Sequence, residues 1–171
     1  MHNFPHLQLK IISTFLILLG ACMTVVGQMK QDIDTTLDQW HLAASNADFD
    51  AYFNLMTEDA IFIGTDATEN WELNDFKLFS KPYFDRGKAW SFTAIERHIF
   101  LNEAKDLAWF DELLSTQMKI CRGSGVLKKV NGIWKIAHYV LSIAVPNENV
   151  SELVALKQVK DDSLIQTLSK N

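Results

Sequence analysis

Residues 88 to 145 constrain the fold of this chain most, because β-favouring residues dominate there and turn signals interrupt them. The pattern predicts four long strands, over residues 89–102, 107–119, 120–130 and 133–145. Between the last two lies Asn131-Gly132, the residue pair that two-residue hairpin turns favour. We therefore expect a meander of long antiparallel strands.

The segment before this meander has helical periodicity. One apolar stripe at the spacing of a helix face predicts the first helix; it consists of Ile33, Leu37, Trp40 and Ala44. Asp48 is a suitable N-cap for a second, short helix. An apolar strand over residues 60–64 and a polar loop over 65–71 come next, and a third helix is expected over 73–84.

Helices gathered ahead of an antiparallel meander predict an α+β domain. Because long strands twist and coil, we expect a cone-shaped, strongly curved antiparallel sheet with three N-terminal helices over its concave face. Hydrophobic residues make up 48% of the chain, which is enough for a packed core. The net charge of −5 and the lack of a basic stripe argue against a nucleic-acid partner.

Residues 1–27 have the pattern of an export signal. Lys10 precedes a nearly uncharged apolar run over residues 11–27, like the basic and hydrophobic regions of a signal peptide. Cleavage is expected after Gly27, or before Cys22 if a lipobox-like motif is used, and an uncleaved anchor is a third alternative. We expect an exported protein, periplasmic, secreted or lipid-anchored, that meets a membrane only through the leader or through lipidation at Cys22.

Three later segments resemble the SnoaL-like branch of the nuclear transport factor 2-like superfamily. Residues 64–71 read GTDATENW, residues 123–127 read GSGVL, and residues 131–139 read NGIWKIAHY. The resemblance extends over residues 29–147. It implies a SnoaL-like domain over residues 28–148, and leaves residues 149–171 as a C-terminal helix and polar tail.

This resemblance also implies a pocket inside the cone, between the sheet and the first three helices, and a homodimer through the outer face of the sheet. It does not determine the activity, because similar domains include isomerases, cyclases, dehydratases and proteins that only bind or dimerise.

His138 is the candidate catalytic histidine. Alternation along the last strand places it on the same face as Trp134 and Ile136, the face that SnoaL-like domains turn inward. A histidine there would act as a general base or acid, or would be a core histidine satisfied by a carboxylate or carbonyl.

Asp111 and Glu112 are the candidate carboxylates. Since they are adjacent in a strand, one of them must point inward, and the sequence leaves open which one does. The inward carboxylate would assist His138 or abstract a proton itself, or would pair with Arg97 or Arg122.

Several further residues are candidates for ligand binding. Asp66, Glu69 and Trp71 lie in the polar loop and would form a binding rim, or would stabilise the loop and the next helix locally. Arg122 would hold a substrate carboxylate. Tyr52 and Trp109 offer aromatic surface or are ordinary core residues.

No metal site or cofactor is expected, because His41, His98 and His138 are not at ligand spacing. Two functions remain. One is an exported binding or accessory domain whose pocket holds a small, largely apolar ligand. The other is a cofactor-independent lyase, isomerase or cyclase-type enzyme that uses His138 and the inward carboxylate for proton transfer.

Overall fold

The computed structural model describes the backbone of residues 5–170 and the side chains of residues 25–170. In chain order the elements are α1 (Pro5–Ser45), α2 (Phe49–Asn54), β1 (Met56–Ile63), β2 (Asn70–Glu72), α3 (Leu73–Asp85), β3 (Phe92–Leu101), β4 (Leu107–Thr116), β5 (Lys119–Val130), β6 (Ile133–Ile143), a 3₁₀ turn (Asn147–Asn149) and α4 (Val150–Leu168). The predicted α+β class is confirmed, with the helices on one side of an open, curved sheet.

The sheet has six strands in the order β2-β1-β6-β5-β4-β3. The predicted meander from β3 to β6 is antiparallel throughout. The sheet as a whole is mixed, because β1 pairs with β6 in parallel. β1 and β6 are separated by the whole meander, so no hairpin dictates their relative direction.

The first helices cover the inner face of this sheet as expected. Every member of the apolar stripe on α1 is buried; these residues are Ile33, Leu37, Trp40 and Ala44. Asp48 caps α2, since its carboxylate accepts a hydrogen bond of 3.0 Å from the backbone N–H of Ala51. α3 continues through Pro82, so this proline does not split the helix.

A β-bulge interrupts the pairing of β5 with β6. Val126 lies opposite His138, but the next residue of β5, Leu127, lies opposite Ile136. Ala137 is therefore an extra residue on β6 without a counterpart on β5. An inserted residue of this kind shifts the alternation of side chains by one position.

This shift corrects the predicted orientation of His138. Trp134 points inward before the bulge, and Tyr139 and Leu141 point inward after it, all three being buried. His138, next to Tyr139 in the strand, therefore lies on the outer face of the sheet and is only half-buried. The prediction from strict alternation placed His138 on the wrong face of the sheet, because the extra residue Ala137 reverses the alternation.

Two glycines of β5 make room for the aromatic rings of the neighbouring strands. A Cβ atom on Gly125 would lie 2.2 Å from the carbonyl oxygen of His138 and 3.0 Å from the ring of Phe110. A Cβ atom on Gly123 would lie 2.3 Å from the hydroxyl of Tyr139. Any side chain at these two positions would collide with a neighbouring strand, so glycine permits the close approach of the strands here.

The two ends of the chain differ from the core. α1 begins at Pro5 and so includes most of the predicted leader, but the side chain of Cys22 lies outside the described residues. α4 has no buried residue, and its main contacts are with the 3₁₀ turn that precedes it. No helix within the described residues combines the length and the hydropathy needed to cross a bilayer.

Candidate functional site

A cavity of about 310 Å³ opens between the β1–β2 loop, α3 and the start of β3. Most of its wall is aromatic, formed by Phe62, Trp71, Phe76, Phe79, Tyr83, Trp90 and Phe92. The remaining lining residues are Gly64, Thr65, Glu69, Gln117, Met118 and Leu141. Its volume lies at the lower end of the range for small-molecule pockets, roughly 300–1,000 Å³.

The aromatic wall follows from the local sequence of α3. Phe76, Phe79 and Tyr83 recur at i, i+3 and i+7, so they share one face of the helix. Phe79 stacks on Trp71 with ring centroids 4.3 Å apart, and Phe76 stacks on Phe62 of β1 at 4.0 Å. The stacked rings connect α3 to the strands beside it and leave their outer faces along the cavity.

The β1–β2 loop is stabilised by its own polar side chains. The Asp66 carboxylate accepts hydrogen bonds from the backbone N–H and the hydroxyl of Thr68, at 2.9 and 2.6 Å. These bonds lower the pKa of Asp66, which is exposed and does not line the cavity. Glu69 and Trp71 do line it, so the predicted rim consists of these two residues, while Asp66 stabilises the turn.

A second group of polar side chains is buried under α1. The carboxylate of Glu112, on the inner face of β4, is 1% exposed. Its Oε1 accepts hydrogen bonds from Nε2 of His41 at 2.9 Å and from the Tyr139 hydroxyl at 3.0 Å. Its Oε2 accepts one from Nε of Arg97 at 2.8 Å. We call these four residues the Glu112 cluster.

Arg97 connects this cluster to α1. Its Nη1 donates to the carboxylate of Asp34 and, at 2.9 Å, to that of Asp38. The guanidinium group therefore bridges three carboxylates from β4 and α1. The predicted alternative in which the inward carboxylate pairs with Arg97 is the one found.

The Glu112 cluster holds its carboxylate in the ionised form. Burial alone would raise the pKa of Glu112, but the hydrogen bond from His41 and the charge of Arg97 outweigh it, and the pKa is lowered. Burial and the Glu112 charge together raise the pKa of Tyr139 well above its usual value. Each carboxylate oxygen of Glu112 already accepts a hydrogen bond, so this group is poorly suited to abstract a proton.

The cluster and the cavity are adjacent but separate. Phe92 lines the cavity and packs edge-on against the His41 ring, with centroids 5.8 Å apart. Phe62 also lines the cavity and stacks on Tyr139 at 5.6 Å. Neither Glu112 nor His41 lines the cavity, so these two rings form the partition between them.

The predicted catalytic residues are not brought together. Glu112 points inward, whereas Asp111 is on the outer face and accepts a hydrogen bond of 3.0 Å from Nδ1 of His98. His138 is also on the outer face, opposite to Glu112. The proposed pair of His138 and an inward carboxylate is therefore wrong, because the bulge at Ala137 turns the histidine away.

Three predicted ligand-binding residues also lie elsewhere. Arg122 and Trp109 are exposed on the outer face, so they do not reach the cavity. Tyr52 is fully buried in the core, where its ring stacks on Trp40 at 4.8 Å. Alternation and helical spacing assign residues to a face, but they cannot determine which buried rings border a void.

The aromatic face of α3 and the contact of His41 with Glu112 were not predicted from the sequence. The i, i+3, i+7 spacing of Phe76, Phe79 and Tyr83 was a signal available for the former. No local signal singled out His41, which meets Glu112 from a position 71 residues away. Among residues 25–170, no group of three or more His, Cys, Asp or Glu side chains gathers as a metal site would require.

Helices packed over one face of an open curved sheet, with an aromatic hollow between them, define a nuclear transport factor 2-like domain. The fold is similar to that of a nuclear transport factor 2-like protein of unknown function from Pseudomonas putida, with a TM-score of 0.58 and 12% identity over 70% of this chain and 89% of that one. It is also similar to a nuclear transport factor 2-like protein from Cytophaga hutchinsonii, with a TM-score of 0.57 and 16% identity over 67% and 98% of the two chains.

The association domain of CaMKII from C. elegans has a similar fold as well, with a TM-score of 0.57 and 22% identity over 68% of this chain and 96% of that one. The SnoaL-like domain family matches residues 33–146, and the chain belongs to this family. No curated protein sequence matches it.

Replacing Glu112 by glutamine is expected to reduce the free energy of unfolding by about 3–5 kcal/mol at neutral pH, because it removes the charge that Arg97 and His41 are buried against. The pKa of Glu112 is lower in the folded state, so its stabilisation is present above the unfolded value of about 4.3 and is lost as the pH falls through the folded value. The difference between wild type and Glu112→Gln should therefore shrink below about pH 4.

Urea denaturation of both proteins across the acidic range measures this difference. The control is Asp111→Asn, which removes the neighbouring carboxylate on the outer face and should change stability little. Equal losses in the two variants would contradict a special role for the buried carboxylate.

Proposed function

We propose that this domain is a binding or accessory module that holds a small, largely apolar ligand in the aromatic cavity and performs no chemistry on it. The observation that carries the proposal is the separation of the cavity from the Glu112 cluster by the rings of Phe62 and Phe92. The cavity can bury rings, while the ionisable groups of the inner face are engaged with one another.

The size and lining of the cavity favour a ligand with one or two rings. Burying apolar surface contributes about 25 cal/mol per Å², and offset or edge-on contacts with aromatic side chains add about 0.5–1.5 kcal/mol each. Trp71, Phe79 and Trp90 offer such contacts along the cavity. Gln117 and Thr65 supply uncharged polar groups for orientation.

Proton transfer has weaker support, because a general base must come within about 2.6–3.2 Å of the proton that it abstracts. Glu112 accepts three hydrogen bonds from protein groups and does not line the cavity. Nδ1 of His41 is buried and has no partner among the described residues, and His41 lines a different pocket, between α1 and the start of β3, rather than the aromatic cavity. His138 is on the other face of the sheet.

The neutral aromatic alcohol tryptophol is a suitable probe for this proposal. Phe79→Ala should weaken its binding about ten-fold, because a stacked wall of the cavity is lost. Isothermal titration calorimetry measures the affinity. The matched control is Leu78→Ala, on the same helix, because Leu78 is 75% exposed and does not line the cavity. Equal affinities of wild type and Phe79→Ala for tryptophol would contradict the proposal.

A second candidate function is self-association through the outer face of the sheet. Phe100, Trp109, Val126 and His138 are consecutive partners across four strands and form one row on this face. Phe100 and Trp109 are 44% and 45% exposed and stack on each other at 5.8 Å. Adjacent exposed aromatic side chains are typical of association surfaces, and one protein of similar fold is itself an association domain.

Trp109→Asp should convert a homodimer into a monomer, since it places a charge in the centre of this surface. Size-exclusion chromatography with light scattering gives the mass in solution. Leu78→Asp, which adds the same charge on α3, should leave the dimer intact. A wild-type protein that is already monomeric at high concentration would exclude this candidate.

We also propose that the protein is exported, on the basis of the basic and apolar pattern of residues 1–27. The full chain is to be produced in a bacterium, and the intact mass of the protein outside the cytoplasm measured. The expected mass is that of a chain beginning at Gln28, whereas a lipid-modified chain beginning at Cys22 would indicate the alternative cleavage. A protein that retains residues 1–27 in the cytoplasm would contradict export.

A further inference from the structure

The aromatic cavity has a charged side chain at its mouth, and that charge is negative. Glu69 lines the cavity together with aromatic, aliphatic and uncharged polar groups. Within the described part of the chain, no Lys, Arg or His side chain belongs to this lining. A ligand in the cavity therefore meets a carboxylate and the faces of several rings.

The position of Gly64 shows that the Glu69 carboxylate lies on the inner side of the sheet. Phe62 points inward from β1, and alternation places position 64 on the same side. A Cβ atom on Gly64 would lie only 2.1 Å from Oε2 of Glu69. The carboxylate thus occupies the inward space that a side chain at position 64 would fill.

The backbone of the loop holds one oxygen of the Glu69 carboxylate in place. The backbone N–H of Gly64 donates to the carbonyl of Glu69 at 2.9 Å, which closes the loop. The backbone N–H of Asp66 donates to Oε2 of Glu69 at 3.1 Å. Within residues 25–170, Oε1 accepts no hydrogen bond from a protein group, so it is available to a ligand.

Several basic side chains lie near the cavity without belonging to its lining. Arg86 lies over the ring of Tyr83, 4.9 Å from its centroid, and its Nε donates to the carbonyl of Pro82 at 3.1 Å. Lys77 and Lys81 of α3 lie over aromatic rings of α2. Arg97 is committed to the Glu112 cluster. The charge of Lys160 in α4 acts on Asp66, the exposed carboxylate of the same loop. None of these cationic groups lines the cavity, whereas the Glu69 carboxylate does.

We infer that the ligand class of this cavity is an organic cation, an aromatic or alkyl amine whose apolar part contacts the rings and whose ammonium group lies beside Glu69. Ring faces attract cations within about 6 Å of their centroids. Charged hydrogen bonds are also stronger than neutral ones. This inference rests on the proposed binding function and specifies the chemistry of its ligand.

Three indole compounds that differ in the end group of the side chain test the charge preference. Tryptamine carries an ammonium group, tryptophol a neutral hydroxyl, and indole-3-propionate a carboxylate. Calorimetry on wild-type protein should show tryptamine binding about ten-fold more tightly than tryptophol, with indole-3-propionate weakest.

Two variants assign this preference to Glu69. Glu69→Gln should reduce the affinity ratio of tryptamine to tryptophol to about one. Glu72→Gln removes the same charge three residues later, from an exposed side chain that does not line the cavity, and should keep the ratio near ten.

The outcomes separate this inference from the proposed function. If tryptophol binds but tryptamine binds no more tightly, the ligand class is wrong and the binding function stands. Tighter binding of indole-3-propionate, or a ratio that survives Glu69→Gln, would likewise overturn the ligand class. If none of the three compounds binds, both proposals fail.

Discussion

The buried carboxylate of Glu112 is the interaction on which the arrangement of this domain depends. It joins His41 of α1, Arg97 of β3 and Tyr139 of β6 to β4, and Arg97 extends the connection to two further carboxylates of α1. Apolar packing alone would hold α1 against the sheet without defining its rotation. A buried charge tolerates few alternative positions, because any arrangement that leaves it unpaired costs several kcal/mol, roughly 3–5.

This cluster also occupies one end of the space between the helices and the sheet. Together with the rings of Trp40, Tyr52 and Phe110, it fills the deep part of the space between the helices and the sheet. The aromatic cavity lies at the other end, where α3 and the β1–β2 loop meet β3. Ion pairs occupy one end of this space, and aromatic rings line a cavity at the other. The two ends have different chemistry because three carboxylates share the guanidinium group of Arg97 at the first, whereas Glu69 lies among aromatic, aliphatic and uncharged polar side chains at the second.

Local patterns in the sequence predicted the elements well. The third helix was expected over residues 73–84 and extends over Leu73–Asp85, and Glu69 and Trp71 were correctly placed near the cavity. Periodicity succeeds there because helix faces and caps depend on residues within a few positions of one another. The prediction for His138 failed because an alternating pattern continues unchanged through a bulge, which becomes visible only when the partner strand is aligned.

The sequence by itself determined the α+β class and the inward helical stripe of α1, which follow from short-range spacing and composition, and its resemblance to known sequences indicated the SnoaL-like family. Only the tertiary structure decided that Tyr139 rather than His138 faces inward, that Glu112 rather than Asp111 is buried, and that β1 lies parallel to β6. Each of these depends on contacts between residues far apart in the chain. Such contacts are selected by the packing of the whole domain, which no local pattern records.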